Sequence, residues 1–253
     1  MPVVLVTGIS RRVGIAWTIA ERLRSEGWTV VGTGWPTHDG EQPWGADENE
    51  PNLVGVRWVA ADLADPDVPG RLVDDAVVEH GSLDALVCVH ARSSMQDLTT
   101  VTAAELDTSF AVNTRSTVLL TQAAACVGVR RIVLFTTGVH QGPMPTEIPY
   151  VVSKAALQGV TATLAAALAP GGATVNCINP GPNDTGYATE QDTTTVRTRM
   201  PLAPRWGQPS DTAALVSWLV SDEAGWITGQ TIDSDGGWGI RAGVPPRQDG
   251  SPR

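Results

Sequence analysis

Tyr150 and Lys154 stand four residues apart in the run Tyr150-Val151-Val152-Ser153-Lys154. On a helix that spacing places both side chains on one face, one turn apart. A lysine cation so placed lowers a phenol's pKa from about 10 and brings it toward acid/base duty near neutrality. An exposed helix face can carry the same pair by chance, so its meaning depends on what accompanies it. A second candidate is the turn Thr7-Gly8-Ile9-Ser10-Arg11-Arg12-Val13-Gly14-Ile15-Ala16, between the apolar run Val3–Val6 and the helical Trp17-Thr18-Ile19-Ala20-Glu21-Arg22-Leu23. Glycine there permits unusual φ and lets a pyrophosphate approach the helix N-terminus, whose free N–H groups favour an anion. Strand, glycine turn and helix in that order are the setting a dinucleotide fingerprint requires.

Elements that could position these groups follow from periodicity. Short runs of β-branched and apolar residues at Val3–Val6, Thr29–Thr33, Val54–Val59, Ala85–Val89, Ile132–Thr136, Thr174–Ile178 and Thr231–Asp233 read as strands. They alternate with helical segments at about 15–26, 68–80, 103–127, 149–169 and 210–221. Near-continuous apolar strands imply a sheet covered on both faces. The expected fold is therefore a single-domain α/β Rossmann-type doubly wound parallel sheet of about seven strands, with helices on both faces and ligands at the strands' carboxyl ends. Residues 34–52, rich in Gly, Pro and acids, read as a loop over the site or a solvated excursion. The domain is expected to span 1–242, with a substrate loop at about 183–206 and a mobile tail at 243–253.

A net charge of −10 on 253 residues argues against phosphate-backbone binding, so no nucleic-acid partner is expected. Cys88, Cys126 and Cys177 are far apart among apolar neighbours and read as core side chains in a reducing compartment; no metal site is expected. His38 and His80 read as solvated surface, and His90 as a core or supporting histidine. His140, just past Thr137, is a candidate for touching substrate. The start of the chain shows no signal-like region, and no segment reads as a membrane span, which makes the expected location cytoplasmic.

Further matches give the Tyr-Lys pair its company. Thr137 lies thirteen residues before Tyr150; Phe110-Ala111-Val112-Asn113 lies upstream; Asn179-Pro180-Gly181-Pro182-Asn183-Asp184-Thr185, Trp226-Ile227-Thr228-Gly229-Gln230 and Asp235-Gly236-Gly237 follow. Over roughly residues 3–238 the chain resembles the short-chain dehydrogenase/reductase family, with a widened glycine turn similar to that of β-ketoacyl carrier-protein reductases. Two features depart from the family pattern: Ala16 stands at the third glycine, and Cys88-Val89-His90-Ala91 replaces the usual Asn-Asn-Ala-Gly.

The resemblance implies roles. Tyr150 is the proton donor in carbonyl reduction, Lys154 holds the nicotinamide ribose and depresses the Tyr150 pKa, Thr137 bonds the substrate oxygen, and Asn113 anchors a water leading to Lys154. Gly8, Ser10, Arg11, Arg12, Gly14, Ile15, Asp62, Leu63, Ala91, Pro180, Gly181 and Thr185 are the remaining cofactor-binding candidates. The second strand ends without an acid and two arginines sit in the glycine turn, which favours NADPH over NADH. An apolar substrate pocket is expected from 138–144 and 186–206, with Met144, Tyr187, Met200, Leu202 and Trp206. The expected activity is NADPH-dependent reduction of a ketone or β-ketoacyl group by a homo-oligomer, a dimer or tetramer. Non-redox acid/base chemistry on the same fold, or a non-catalytic cofactor sensor or scaffold, are the alternatives.

Overall fold

The computed structural model describes residues 1–240, so the tail expected at 243–253 lies outside the described residues. Seven parallel strands form one sheet in the order β3-β2-β1-β4-β5-β6-β7. They are β1 Val3–Thr7, β2 Thr29–Gly34, β3 Val56–Ala60, β4 Ala85–Cys88, β5 Arg131–Phe135, β6 Thr174–Asn179 and β7 Thr231–Asp233. Strand alternation explains the unbroken apolar sequence of β1. Val4 and Val6 pack with Ile19 and Leu23 of α1 (Ile15–Ser25) and Val216 and Leu219 of α8 (Pro209–Val220). Val3 and Leu5 face the other layer, with Leu72 and Ala76 of α3 (Val68–His80) and Leu120 and Ala124 of α5 (Ser116–Cys126). The chain reverses its winding between β1 and β4, which opens a crevice at the carboxyl ends of the strands.

Several expectations are corrected. The third strand begins at Val56 rather than Val54, because Gly55, at φ +77°, turns the chain just before it. Segment 34–52 contains a short helix, α2 (Pro36–Gly40), with proline in its first turn. The helix expected over 103–127 is α4 (Ala103–Phe110) and α5 joined by a π-turn at Ala111–Arg115. A helix the periodicity missed, α7 (Glu190–Arg199), lies in the substrate loop; it buries only Val196 and owes its start to a Thr189/Asp192 capping box. Cys126 is exposed at the end of α5, whereas Cys88 and Cys177 are buried.

Among the described residues, one segment is long and apolar enough to cross a membrane: Ile148–Gly171, 24 residues with mean hydropathy 1.4. It comprises α6 (Ile148–Leu168) and the turn after it. α6 packs on β5, β6 and α4 and buries Lys154 in its second turn.

β2 ends on a glycine for a steric reason. A Cβ on Gly34 would overlap the carbonyl of Ile9 and approach Ser10 Oγ at 2.8 Å. That carbonyl is fixed, since it accepts the Trp58 indole N–H at 2.7 Å while Ile9 N donates to Thr33 O at 2.9 Å. The widened glycine turn thus rests directly on the end of β2. Gly34→Ala is expected to destabilise the fold by roughly 1–3 kcal/mol through overpacking, whereas Gly40→Ala, with nothing within 4 Å of its Cβ, should not. Urea unfolding of both variants checks this.

Candidate active site

Gly8 and Gly14 shape the turn after β1. Gly8 has φ +87°, and a Cβ there would meet His90 N at 2.7 Å, so the turn and the end of β4 pack backbone to backbone. Ser10 Oγ accepts from Trp35 N at 3.0 Å. Arg11 reaches across to the chain beyond β6, donating from Nη1 to Thr185 O at 2.9 Å, and its buried Nε has no hydrogen-bond partner. Arg12 leaves the site: its backbone N–H is taken by Asp47 Oδ2 at 2.8 Å and its guanidinium lies 5.9 Å from the Trp17 ring centroid. It does not line the cavity, which corrects its place among the cofactor-binding candidates.

Helix α6 carries the Tyr-Lys pair, and the two side chains sit in different surroundings. Tyr150 is half-buried; burial pushes its phenol up to about 12, the nearby Thr137 hydroxyl acts the other way, and the Glu147 carboxylate adds to the rise. Lys154 is 2% exposed and donates from Nζ to His90 O at 3.0 Å and Phe135 O at 3.2 Å. Burial lowers it to about 8, with the neighbouring Cys177 and Cys88 thiols acting weakly against that. The expected depression of the phenol by this lysine is therefore absent from this geometry, because the ammonium is turned to the two carbonyls. Thr137 Oγ1 also contacts Met144 Sδ at 3.8 Å. Thr136, one residue earlier, donates to Lys154 O at 2.9 Å and fixes the α6 backbone.

Asn113 and His90 form the support behind this wall. Asn113 is fully buried in the π-turn; its Oδ1 accepts from Arg92 N at 2.6 Å, and its Nδ2 donates to Arg92 O at 3.0 Å and Ser153 Oγ at 2.8 Å. It ties the chain after β4 to the residue beside Lys154 and does not line the cavity. A π-turn frees a backbone carbonyl, here that of Val112, which lies 3.1 Å from His90 Nε2 and also accepts from Ser116 Oγ. His90 Nδ1 lies 2.6 Å from Thr7 Oγ1. Burial foremost, and then the Lys154 charge, push this imidazole down to about 3, so it is neutral. With Nε2 protonated toward Val112 O and Ser116, its Nδ1 accepts from Thr7, a tautomer assigned from these partners.

A cavity of about 1050 Å³ runs along the carboxyl ends of the strands. The sequence-derived residues Gly8, Ser10, Arg11, Gly14, Ile15, Asp62, Leu63, Ala91, Thr137, Tyr150, Lys154, Pro180, Gly181 and Thr185 all line it. Of the expected substrate wall, Met144, Tyr187 and Trp206 line it too. Met200 is instead buried against Gly236, and Leu202 is 71% exposed. His140 pairs with Asp233 at 2.9 Å and is not in the lining. His38, expected at the surface, lines the cavity and accepts from Ser93 N at 3.2 Å. Trp35, Asp39, Glu41, Trp44, Arg92 and Glu147 are lining residues that motif reading missed. Of these, Trp35, Asp39, Glu41 and Trp44 belong to the 34–52 excursion, whose composition had already set it apart.

A family profile described as "Enoyl-(Acyl carrier protein) reductase" matches residues 8–239. The chain belongs to the short-chain dehydrogenase/reductase family. It is 33% identical to an uncharacterized oxidoreductase of Bacillus subtilis over 250 residues, 93% of this chain and 96% of that one. It is 32% identical to the human dehydrogenase/reductase SDR family member 4 over 238 residues, 88% of this chain and 83% of the relative. A solved short-chain dehydrogenase/reductase of Serratia marcescens superposes with a TM-score of 0.80 at 30% identity, covering 94% of this chain and 98% of that one. Short-chain dehydrogenases/reductases are oxidoreductases that bind a nicotinamide cofactor and act on small molecules. The cavity fits such a cofactor: its glycine turn precedes α1, and the unpartnered Arg11 Nε is a buried cationic donor suited to a phosphate.

Lys154 also makes a stability prediction for this dehydrogenase/reductase. Its folded-state pKa, about 8, lies below the ordinary 10.5. Between those two values the unfolded chain binds more protons, so this lysine's contribution to stability rises with pH instead of being lost. Between about pH 7.5 and 9.5 the stability of the parent relative to Lys154→Met is expected to rise by ~1–2 kcal/mol. Urea titrations at both pH values measure it.

Proposed function

We propose that the protein is an NADPH-dependent carbonyl reductase that converts a ketone or β-ketoacyl group to an alcohol, with Tyr150 as proton donor. The observation that carries this reading is that Thr137 and Tyr150 share one cavity with the glycine turn and with Lys154. When bound, the reduced nicotinamide supplies the hydride. Everything else is the task of the chain's own groups. A phenol whose pKa is near 12 stays protonated at neutral pH, so Tyr150 rests as an acid ready to protonate a developing alkoxide. Thr137 donates a second hydrogen bond to the same oxygen as its negative charge grows. Lys154, with a pKa near 8, carries its proton at neutral pH and is held by the His90 and Phe135 carbonyls. Asn113 keeps the chain around Arg92 and Ser153 in place.

Gly8, Ser10, Arg11, Gly14 and Ile15 would hold the cofactor's pyrophosphate, Asp62, Leu63 and Ala91 its adenosine end, and Tyr150, Lys154, Pro180, Gly181 and Thr185 its nicotinamide end. The choice of NADPH is supported by Gly34 where an acid would bind a ribose, and by the Arg11 and Arg92 guanidinium groups in the wall. Asp39 also lines this region, but its carboxyl is desolvated and engaged by the Trp44 indole at 3.0 Å. Members of the family commonly form oligomers. A dimer or tetramer is proposed here too, with exposed Phe110 and Val152 among the apolar residues it would cover.

Tyr150→Phe is expected to cut ketone turnover by roughly 10²–10⁴-fold while leaving cofactor binding intact. Thr137→Val should lose roughly 10²–10³-fold and Thr137→Ser should retain most activity. Near-parental turnover by Tyr150→Phe, with ketones and β-ketoacyl thioesters as substrates, would remove the proposed donor. For the cofactor, titration should give tighter binding of NADPH than NADH, with Arg11→Ala closing most of the gap. Equal affinities would overturn the choice, and tighter NADH would make Asp39 the ribose partner.

A further inference from the structure

Glu147 is the residue immediately before α6, three positions ahead of Tyr150, and it lines the same cavity. It is half-buried, and no hydrogen bond or ion pair from any described residue engages its carboxylate. Burial raises its pKa, as expected for an acid placed against a protein wall without a counter-charge. Its charge reaches the Tyr150 phenol and, with those of Asp184 and Asp192, the Tyr187 phenol. The other two acids are occupied. Asp184 accepts from Gly186 N at 2.8 Å, and Asp192 holds the Thr189 hydroxyl at 2.6 Å. Arg199, a cation in the same lining, is stacked on Trp238 with its Cζ 3.9 Å from the ring centroid.

Beside these acids lies an aromatic cluster. Tyr187 meets Trp44 at a centroid distance of 6.3 Å and Trp206 at 6.2 Å, the latter edge-on. All three rings line the cavity. Aromatic faces attract organic cations, the more so out of water. A carboxylate left without a partner in a partly dry cavity costs free energy, and that cost is recovered when a bound molecule brings the opposite charge.

We infer that the ketone taken by this site carries an organic cation, an amine or quaternary ammonium, seated between Glu147 and the Trp44, Tyr187 and Trp206 rings. The inference rests on the carbonyl-reductase reading above and narrows its substrate class. It has a chemical corollary at Tyr150. A cation beside Glu147 neutralises the negative charge that hinders ionisation of the phenol, so substrate binding itself eases the proton transfer.

The test compares two ketones of the same shape: phenacyl-trimethylammonium, whose charge does not depend on pH, and neopentyl phenyl ketone, in which carbon replaces nitrogen. For the parent enzyme, kcat/KM is expected to be at least ~10-fold higher for the cation, and Glu147→Gln should bring the ratio to within ~3-fold of unity. Using a ratio cancels any general loss of activity in the variant. If Glu147→Gln does not fold, Trp206→Leu serves instead and should lower the preference at least ~3-fold. A parental ratio near or below one, or a preference that survives both substitutions, would overturn the inference. If neither ketone is reduced with either cofactor, the carbonyl-reductase reading falls, and calorimetric titration of phenacyl-trimethylammonium decides the cation site alone. Binding weakened about 10-fold or more by Glu147→Gln upholds it; absent binding, or equal binding by parent and variant, rejects it.

Discussion

A protonated amine with almost no access to water must be held by something, and at Lys154 the holders are two main-chain carbonyls. The Nζ group donates to His90 O, just past β4, and to Phe135 O, the last residue of β5. Those carbonyls stand where they do because β4 and β5 pair in a fixed register, Cys88 opposite Leu134. A slip of one residue would turn both strands' side chains to the wrong face and misplace the lysine's acceptors. From the other side, Thr136 fixes the α6 backbone at Lys154 itself and Thr114 takes the carbonyl of Ser153 at 2.7 Å. Sheet register, π-turn and helix α6 therefore converge on one buried charge, and the half-buried Tyr150 one turn earlier is placed by the same contacts.

The replacement of the family's usual asparagine segment by Cys88-Val89-His90-Ala91 makes sense within this arrangement. An imidazole has two ring nitrogens on opposite sides, and His90 uses both, one toward Thr7 on β1 and one toward the carbonyl freed by the π-turn. It does so as a neutral group, which suits a site where a second positive charge would compete with Lys154. The histidine thus joins three elements through its side chain while its backbone carbonyl holds the ammonium. Cys88, behind it, is a thiol pushed up to about 12 by burial and remains a small apolar filler.

The sheet was legible because two-sided burial writes itself as uninterrupted apolar runs, and every expected strand is found within two residues of its place. The Tyr-Lys pair and the glycine turn were legible because their function depends on local spacing. What escaped depends on distance in the sequence. His38 became part of the cavity only because α2 brings it within reach of Ser93, 55 residues away. Helix α7 is polar and rich in β-branched residues, so periodicity had nothing to register and its capping box alone betrays it. Arg12 looked equivalent to Arg11 in the turn, yet successive residues there point in different directions, one toward Thr185 and the other toward Trp17. The direction of the Lys154 ammonium could not be read from its spacing to Tyr150, because its partners are backbone atoms of two strands.

The crowding at Gly34 bears on how such a protein can diversify. With Ile9 lying on it, the last position of β2 has no room for any side chain, so a change of cofactor cannot be made there by a single substitution. The side chains that line the cavity on this side come instead from the excursion that follows, where His38, Asp39 and Glu41 take no part in the strand ladder. That segment is tied to the glycine turn at its two ends, through Trp35 N on Ser10 Oγ and Asp47 on Arg12 N, and lies outside the strand pairing. An engineer who wished to reshape this wall should therefore graft whole 35–47 segments and keep the glycine.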